Sequence, residues 1–596
     1  MSARLESAAD TIHVSISDRF LTRMLIRFLA PYWLQIMIVF AMLIAVAGLS
    51  LLMPLLIQRA VDEPIRQGNI AGLIPYGIAY FSLIFIIFII RFAHTYLLQT
   101  VGQNALVSLR QELFEHIMRQ DMRFFNTTPV GQLVSRLSND IEALTELLST
   151  SIVVLASNVV QLIGIVVVML ALNWRLAVLS LAIMPIMVGV TVFFRKRIRV
   201  AATRFHKLVG EYLAFINEQF NGMLIVQLFG RQQVSREGFA HLNRQHTEIH
   251  GRFRDHYTGY AAALQILTTA GLALVLYGGG QGVLAGWASL GTLIAFLEYT
   301  RRTFEPIVQL SEQIAQIQSA FSAGERIAKM LHVQPEIAEA VEPLRLTTTR
   351  HSLTFDHVNF GYEPGHLVLR DLDFHVPAGQ RVAVVGATGA GKTSLAGLLA
   401  RFYDVSDGRV LIDGVDVRSI GLQDLREYVT VVPQNPYCFD GTVAENLRLF
   451  NPAITDEQMI SAAKMACADR FIERLPGGYD FELLPGGANL SQGQKQLLAL
   501  ARALIHNPNS ILVLDEATSN IDTETEAMIQ EGLERILRGR TSLVIAHRLS
   551  TIREVDRILV MKRGQLVEDG THAELLAQNG LYAQLYQRQF LELESA

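Results

Sequence analysis

The sequence has few cysteines and few charged residues for its length. Two cysteines, Cys438 and Cys467, occur in 596 residues, which excludes a disulfide-stapled secreted scaffold and fits a reducing compartment. Charged residues make up only 18% and hydrophobic residues 51%, so a disordered chain is excluded as well. Neither half of the chain is basic enough to indicate nucleic acid as a main partner.

The apolar residues are concentrated in the first half. Residues 1–330 carry 27 Lys and Arg against 20 Asp and Glu, whereas residues 331–596 carry 24 against 35. A basic, apolar half followed by an acidic half predicts a membrane domain joined to a water-soluble domain. We expect the membrane domain over residues 1–325, a polar linker over 326–350 and the soluble domain over 351–596.

Six stretches are apolar and long enough to cross a hydrocarbon core of about 30 Å, which takes about 20 helical residues. They are 34–57, 74–98, 151–172, 176–194, 259–280 and 288–309. An amphipathic segment, 18–31, is predicted to lie along the interface. Lys and Arg concentrate in the loops 99–150 and 195–258, so these loops and both termini are predicted to be cytoplasmic. Each loop is predicted to form a helical hairpin, with breaks near 126–129 and 221–222.

Two groups of charged residues fall inside the predicted spans. Arg91 and His94 lie near the end of the second span, where their side chains are expected to snorkel to the interface. Glu298, Arg301 and Arg302 lie in the sixth span. They either line a pathway or pair with one another, and the sequence assigns no substrate site to them.

The strongest motif is a glycine-rich stretch between a predicted strand, 381–385, and a predicted helix, 394–400. Glycines let backbone N–H groups wrap phosphates, and the N-terminus of the helix favours anions. We predict that Lys392 reaches the β- and γ-phosphates and that the Thr393 hydroxyl binds Mg²⁺. The predicted phosphate-binding residues are Gly386, Ala387, Thr388, Gly389, Ala390, Gly391, Lys392, Thr393 and Ser394.

Two further strand patterns end in polar residues. The run 511–514 ends in Asp515 and Glu516, and the run 542–546 ends in His547. Taken alone, two carboxylates at a strand end are often an ordinary turn. With a phosphate loop in the same sheet, Asp515 is predicted to bind Mg²⁺ and Glu516 to polarise the attacking water.

In combination these motifs resemble the ATP-binding cassette (ABC) transporters, of the exporter type. Leu490-Ser491-Gln492-Gly493-Gln494 occupies the place of the family's signature motif, upstream of Asp515. The resemblance implies an all-α membrane domain of six helices (the type IV exporter fold) fused to a cytoplasmic α/β P-loop nucleotide-binding domain. It also implies ATP and Mg²⁺ as ligands and a bacterial plasma or inner membrane as the location.

The resemblance implies roles for residues that local patterns do not identify. Tyr362 stacks on adenine, Gln434 contacts Mg²⁺, and His547 contacts the γ-phosphate. Asp522 lies in the loop that communicates between two nucleotide domains, and the family's first cytoplasmic loop is matched around Phe125, Gly131, Arg136 and Asp140. The signature residues implied to complete the ATP site of a second subunit are Ser491, Gly493 and Gln494.

One chain carries a single motif set, whereas in this family two domains sandwich each ATP, so a dimer is implied. Gln492 stands where the signature usually has a glycine, and Pro485 stands where family exporters usually have a glutamate. Because Lys392, Glu516 and His547 are all present, this pattern resembles one subunit of a heterodimer with unequal ATP sites. A homodimer that tolerates Gln492 stays open.

The predicted function is an ATP-driven exporter subunit that works by alternating access. Its expected partners are membrane lipid, a second half-transporter and a hydrophobic or amphipathic substrate such as a drug, lipid or peptide. An ATP-gated channel or a regulatory membrane subunit would carry the same motifs. An importer is disfavoured, because importers of this family usually place the membrane and ATPase parts on separate chains.

Overall fold

The computed structural model describes residues 23, 26–348, 350–515, 521–546, 552–553 and 555–594. It divides into two compact units. The first consists of Met1–Arg119 with Thr128–Val333, and the second of Gln120–Thr127 with Gln334–Ala596. A short piece of the first predicted loop therefore belongs to the second unit.

The first unit is entirely helical in its described residues. Its α-helices are α1 (Trp33–Ala60), α2 (Ile70–Met118), α4 (Val130–Ser135), α5 (Ile141–Glu146), α6 (Ile152–Leu172), α7 (Trp174–Leu181), α8 (Met184–Asn221), α9 (Met223–Leu228), α10 (Gln232–Leu284) and α11 (Leu290–His332), while α3 (Met122–Thr127) belongs to the second unit. Single π-helical turns join α4 to α5 and α5 to α6, so these three form one nearly continuous rod.

Among the described residues, five helical runs are long and apolar enough to cross a membrane, judged by length and composition. They are Ile26–Ile65, Ile70–Met118, Val130–Leu172, Trp174–Asn221 and Gln232–Leu284. The sixth predicted span lies at the start of helix α11, which is not one of these five runs. Its first two turns are apolar, but Glu298, Arg301 and Arg302 follow closely.

The predicted hairpins form, because the helices that contain the spans continue far beyond them. Helix α2 has 49 residues and α10 has 53, about twice the length that a membrane core requires. Each reversal carries a short helix of six residues, α3 in the first loop and α9 in the second. Pro129 interrupts the first loop after α3, and Gly230, with φ of +59°, lets the chain turn after α9.

Two of the three charged residues of the sixth span, Glu298 and Arg302, pair with each other. Arg302 Nε lies 2.9 Å from Glu298 Oε1, and Arg302 Nη1 donates to the Ser50 carbonyl oxygen at 3.1 Å. The neighbouring Tyr299 is fully buried, and its hydroxyl donates to the Leu51 carbonyl oxygen at 2.5 Å. These contacts tie α11 to α1 and favour the pairing interpretation for Glu298 and Arg302.

Helix α11 runs past the predicted start of the linker at residue 326 and ends at His332. Ala320, Ala323 and Ile327 recur at helical spacing and are buried, so the apolar face that supports the helix persists beyond residue 326. Val333 then adopts an extended conformation two residues before Pro335, where the chain cannot continue a regular helix.

The second unit is built on a six-stranded sheet and a four-stranded sheet, with a small two-stranded sheet. The strands are β1 (Leu353–Phe360), β2 (Leu369–Val376), β3 (Arg381–Gly386), β4 (Asp407–Ile412), β5 (Val415–Asp416), β6 (Val429–Val432), β7 (Gly441–Thr442), β8 (Glu482–Leu483), β9 (Ile511–Asp515), β10 (Ser542–Ile545), β11 (Arg557–Lys562) and β12 (Gln565–Gly570). The orders are β12-β11-β3-β10-β9-β6, β2-β1-β4-β5 and β7-β8.

Helices complete the second unit and bury both faces of its central strands. They are α12 (Lys392–Leu399), α13 (Leu422–Tyr428), α14 (Val443–Arg448), α15 (Asp456–Met465), α16 (Asp469–Ile472), α17 (Gln492–His506), α18 (Thr523–Leu537), α19 (His572–Ala577) and α20 (Leu581–Glu594). Residues 382–384, 511–514 and 542–545 are buried along their whole length, as expected for parallel strands covered on both sides. An α/β domain of this kind agrees with the predicted fold.

Candidate nucleotide site

Four parallel strands end at one edge of the six-stranded sheet and bring the predicted motifs together. Ile545 pairs with both Val384 and Asp515, and Val432 pairs with Leu514. The phosphate loop after β3, Asp515 at the end of β9 and the segment after β6 therefore start from the same edge. Ligands of open α/β sheets bind outside the carboxyl ends of such strands.

The phosphate loop depends on glycines at two left-handed positions. Gly389 has φ of +82° and Gly391 has φ of +99°, conformations that L side chains rarely adopt. A Cβ atom at Gly391 would also lie 2.5 Å from Leu369 Cδ2. Helix α12 begins directly at Lys392, so the loop presents backbone N–H groups and a helix N-terminus at the same place.

Lys392 is buried and held by its own loop. Its ammonium donates to the carbonyl oxygens of Gly386 at 2.6 Å and Ala387 at 3.2 Å. Burial lowers the pKa of Lys392, and the nearby carboxylate of Asp515 acts in the opposite direction. The predicted phosphate ligand and the predicted Mg²⁺ ligand thus lie close enough to interact electrostatically.

Tyr362 lies against the phosphate-binding helix. Its hydroxyl is hydrogen-bonded to Ser394 Oγ at 3.0 Å, and the residue as a whole is 41% exposed. The ring makes edge-to-face contacts with Phe360 and Tyr403, at centroid distances of 4.9 and 5.1 Å. An accessible aromatic ring fixed beside the phosphate loop can stack on a nucleotide base.

The short helix α3 packs beside Tyr362 within the second unit. The Asp121 carboxylate accepts from the Phe124 N–H at the start of α3 and from the Glu336 N–H. Arg123 pairs with Glu336 at 2.5 Å and donates to the Tyr362 carbonyl oxygen at 3.0 Å.

Asn126 adds a second contact between α3 and the tyrosine pair. Its amide donates to the Tyr403 hydroxyl at 2.6 Å, and Tyr403 in turn contacts Tyr362 edge to face. Beside these contacts lies a cavity of about 400 Å³ lined in part by Arg123, Tyr362 and Tyr403. A segment of the first predicted loop thus supports one wall of this cavity.

The signature segment forms the N-terminus of α17. Ser491 caps this helix, and Gln494 completes a capping box with it, which satisfies N–H groups that the first turn leaves unpaired. Gln492 is the first helical residue. Its side-chain amide donates to Asn435 Oδ1 at 3.1 Å and to the Gln434 carbonyl oxygen at 3.3 Å.

Gly493 differs from Gln492 in the space that surrounds it. A Cβ atom at Gly493 would lie 2.4 Å from Thr525 Cγ2 and 3.0 Å from Ile521 Cγ2. The close approach of α17 to the start of α18 therefore requires glycine at this position. Gln492 lies one residue earlier, where its side chain extends to the segment after β6.

The remaining predicted residues are placed as follows. Gln434 is exposed two residues beyond β6. Asp522 is exposed and caps α18 by accepting from the Thr525 N–H, a hydrogen bond that lowers its pKa. Glu516 and His547 lie outside the described residues. In the sequence, Glu516 directly follows β9, and His547 comes two residues after β10.

The matched residues of the first loop are divided between the units. Phe125 belongs to the second unit, and Gly131 to the first. Arg136 and Asp140 are buried in the first unit, where Arg326 Nε donates to Asp140 at 3.0 Å and the Arg326 carbonyl oxygen accepts from Arg136 at 3.2 Å.

Sequence reasoning missed Arg123, Asn126, Tyr403 and Asn435 as parts of this site. Arg123 lies in the basic loop 99–150, three residues before the predicted break at 126–129, and this position is the one sequence signal that could have identified it. Their partners lie between 57 and 277 residues away along the chain, and no local pattern reports such contacts.

Comparisons with known proteins match most of the chain. Residues 36–307 match the family described as ABC transporter transmembrane region, and residues 369–519 match the family described as ABC transporter. A fatty acid ABC transporter ATP-binding/permease protein of Mycobacterium bovis is 37% identical over 83% of this chain and 78% of its own length.

Two further relatives cover more of the chain. An ATP-dependent lipid A-core flippase of Desulfotalea psychrophila is 33% identical over 94% of this chain and 97% of its own length. The structure of a bacterial Atm1-family ABC exporter with ATP bound superimposes with a TM-score of 0.78 at 28% identity, covering 93% of this chain and 99% of that one.

Proposed function

The chain belongs to the ABC transporter family as an exporter whose membrane region is fused to its ATPase domain, and from that premise we propose its ATP chemistry, its cargo and its partner. It is a multi-pass membrane protein and an ATPase-coupled translocase. The proposed cargo is an amphipathic lipid-like molecule, moved out of the cytoplasm or the inner leaflet of a bacterial membrane. The named activities of the two curated relatives, on fatty acid and on lipid A-core, support this class.

ATP hydrolysis is assigned to the edge shared by β3, β9 and β10. The convergence of these strand ends is the observation that carries the proposal. The glycine loop and Lys392 bind the phosphates, Tyr362 stacks on the base, and Glu516 orients the attacking water. Since phosphoryl transfer to water needs positioning and charge neutralisation, no covalent intermediate with the protein is required.

The residues at this edge fit Mg²⁺. The Thr393 hydroxyl is exposed at the first turn of α12, and the Asp515 carboxylate ends β9, so both supply the hard oxygen ligands that this ion prefers. Gln434 supplies a third oxygen from the segment after β6. When bound with the nucleotide, Mg²⁺ neutralises charge on the phosphate oxygens. His547 is assigned to the γ-phosphate.

The proposed partner is a different half-transporter. Gln492 is not required by the packing of α17, since the steric demand for glycine falls on Gly493. A side chain at position 492 stands at the helix N-terminus that would face the partner's ATP, where close backbone approach favours glycine. This chain would then supply Lys392 and Glu516 to the hydrolytic site and an altered signature to the weaker one.

The catalytic assignment is tested with Glu516→Gln in the full-length chain. We expect ATP binding within about twofold of the unaltered protein and loss of most hydrolysis, because removing a positioned base costs about 10²–10⁴-fold in rate. Nucleotide binding and phosphate release are measured on the same reconstituted sample. Undiminished hydrolysis would overturn the role of Glu516.

The partner assignment is tested by purifying the chain alone and together with the product of a neighbouring transporter gene. A stable 1:1 complex with higher ATPase activity than the chain alone is expected. An active homodimer of this chain by itself would refute the heterodimer. Accumulation of a lipid probe in sealed vesicles, driven by ATP against its gradient, separates a pump from a channel.

A further inference from the structure

Helices α8 and α10 enclose a groove just beyond the apolar part of α8. The groove has a volume of about 530 Å³, and its lining includes Lys196, Arg197, Arg204 and Arg252 together with His256. The contributing positions recur every three or four residues along each helix, so they share one face of the helix pair.

The charge of this groove is uncompensated within the described chain. None of its lining residues is acidic, and no carboxylate pairs with Lys196, Arg197, Arg204 or Arg252 among the described ion pairs. The nearby Asp255 carboxylate instead lies 3.4 Å from Arg254, outside the lining. Four cations held side by side repel one another, and an anion placed between them would relieve that repulsion.

The groove begins where the apolar surface of α8 ends. Residues 176–194 carry no charge, and Arg195 starts the basic cluster. Val192 and Phe193 are 63% and 53% exposed. The Arg197 guanidinium carbon lies 4.1 Å from the centroid of the Phe193 ring. An apolar surface therefore adjoins the basic groove directly, which matches a ligand with an anionic head and an apolar tail.

Aromatic packing fixes the width of the groove. Phe205 of α8 stacks on Phe253 of α10 at a centroid distance of 6.0 Å and contacts His250 at 5.2 Å. Tyr212 contacts His246 at 5.6 Å further along the same helix pair. Because these rings span the two helices next to the basic residues, the groove is a feature of the packed hairpin rather than of loose side chains.

We propose that this groove binds the phosphate headgroup of an anionic phospholipid, with the acyl chains lying along Val192 and Phe193. Arg side chains bind phosphate oxygens in bidentate fashion, and several basic residues at a membrane surface attract anionic lipid. The inference rests on the proposed orientation, which places this end of α8 at the cytoplasmic leaflet. It deepens the proposed lipid specificity by assigning a headgroup site outside the ATPase domain.

The test compares two triple variants of the full-length chain with equal loss of charge. The groove variant is Lys196→Gln, Arg204→Gln and Arg252→Gln. The matched control is Arg195→Gln, Arg199→Gln and Arg254→Gln, which alters exposed residues of the same helices that do not line the groove. Bound phosphatidylglycerol is measured by native mass spectrometry without ATP, with phosphatidylcholine as the uncharged comparison.

The groove variant should bind phosphatidylglycerol at least about tenfold more weakly, since each basic residue near a membrane surface contributes about fivefold. The control should change by less than about twofold, and phosphatidylcholine binding should not change in either. Equal losses in both variants would show diffuse attraction and overturn the site. Displacement of the lipid by inorganic phosphate alone would show that the groove is a site for free anions. A changed oligomeric state of the groove variant would show that the groove is a subunit interface. Either result would overturn the lipid assignment.

ATP hydrolysis in phosphatidylcholine nanodiscs separates this inference from the proposed function. Both variants should hydrolyse ATP at the rate of the unaltered chain there, because the substituted residues lie outside the nucleotide site. Absence of hydrolysis in the unaltered complex would refute the proposed function while leaving the lipid measurement valid.

Discussion

Replacing Arg123 by alanine tests whether helix α3 supports the base-stacking role proposed for Tyr362. Arg123 is the residue of α3 that reaches the Tyr362 backbone, with its guanidinium 3.0 Å from the carbonyl oxygen. Hydrogen bonds to charged groups contribute about 1.5–3 kcal/mol. Because the Arg123 side chain is 40% exposed, the solvent-screened value is taken as about 1–1.5 kcal/mol.

If this hydrogen bond holds Tyr362 in the position that stacks on the base, its removal should lower the affinity for the nucleotide. The Kd of the full-length chain for ATP should rise about five- to tenfold in Arg123→Ala. Glu336→Gln is the matched control, because it removes the ion pair and retains the Tyr362 hydrogen bond. An exposed ion pair contributes about 0.2–1 kcal/mol, so the control should raise the Kd by less than the Arg123 variant.

A double-mutant cycle decides whether Arg123 acts through Tyr362. Tyr362→Ala removes base stacking, which contributes about 1–3 kcal/mol. In that background Arg123→Ala should change the Kd by less than about twofold, since the group that it positions is already gone. Affinities are measured with a fluorescent ATP analogue in the absence of turnover. Additive losses in the cycle would refute the reasoning, as would an unchanged Kd in Arg123→Ala alone.

Three further predictions follow from single contacts. Gly493→Ala should destabilise the nucleotide domain by about 1–3 kcal/mol through overpacking against Thr525; Thr525→Ser should restore most of the melting temperature, and failure of that rescue would contradict the steric cause. Gln492→Gly should cost at most about 1.5 kcal/mol of stability, because Asn435 Oδ1 and the Gln434 carbonyl oxygen lose one donor. The same substitution should raise the ATPase activity of the assembled complex, and lower activity would contradict the interpretation of Gln492 as an impairment of the signature. A hydrogen bond from the Arg381 guanidinium holds the pKa of Asp556 below its usual value. The pair therefore stabilises the fold above the unfolded-state pKa, and this stabilisation is lost as pH falls through the folded-state pKa. Asp556→Asn should cost about 0.5–1 kcal/mol at neutral pH and little in acid, as measured by thermal melting at both pH values.

Local elements of the nucleotide domain could be predicted from the sequence because local chemistry determines them. The strand predicted at 381–385 is observed as Arg381–Gly386, and the helix after the glycine loop begins two residues earlier than predicted. The predicted strand 511–514 is observed as Ile511–Asp515. In each case a short apolar run and a glycine or carboxylate boundary lie within a few residues of one another.

Contacts between distant segments could not be predicted in this way. The hydrogen bond from Arg123 to Tyr362 and that from Gln492 to Asn435 join residues whose own neighbours give no sign of the partner. The extension of α11 to His332 was not predicted, because the polar sequence that follows drew the linker boundary to residue 326 although Ile327, Ala328 and Met330 are buried along the helix. Helical propensity and burial outweighed composition there.

Arg123 and Gln492, whose contacts the sequence did not reveal, belong to parts of the proposed dimer that serve different ATP molecules. Arg123 links helix α3 to Tyr362, the residue proposed to stack on the base, and Gln492 links the N-terminus of α17 to the segment after β6. In the proposed dimer the partner's signature covers the ATP bound beside Tyr362, and the signature of this chain covers the partner's ATP, so each contact would affect a different nucleotide. Coupling between sites requires such differential contacts in two states. Because Gln492 makes its contacts within its own domain, any effect it has on the partner's ATP must act through the position of the α17 N-terminus, which is the group that a second subunit would read.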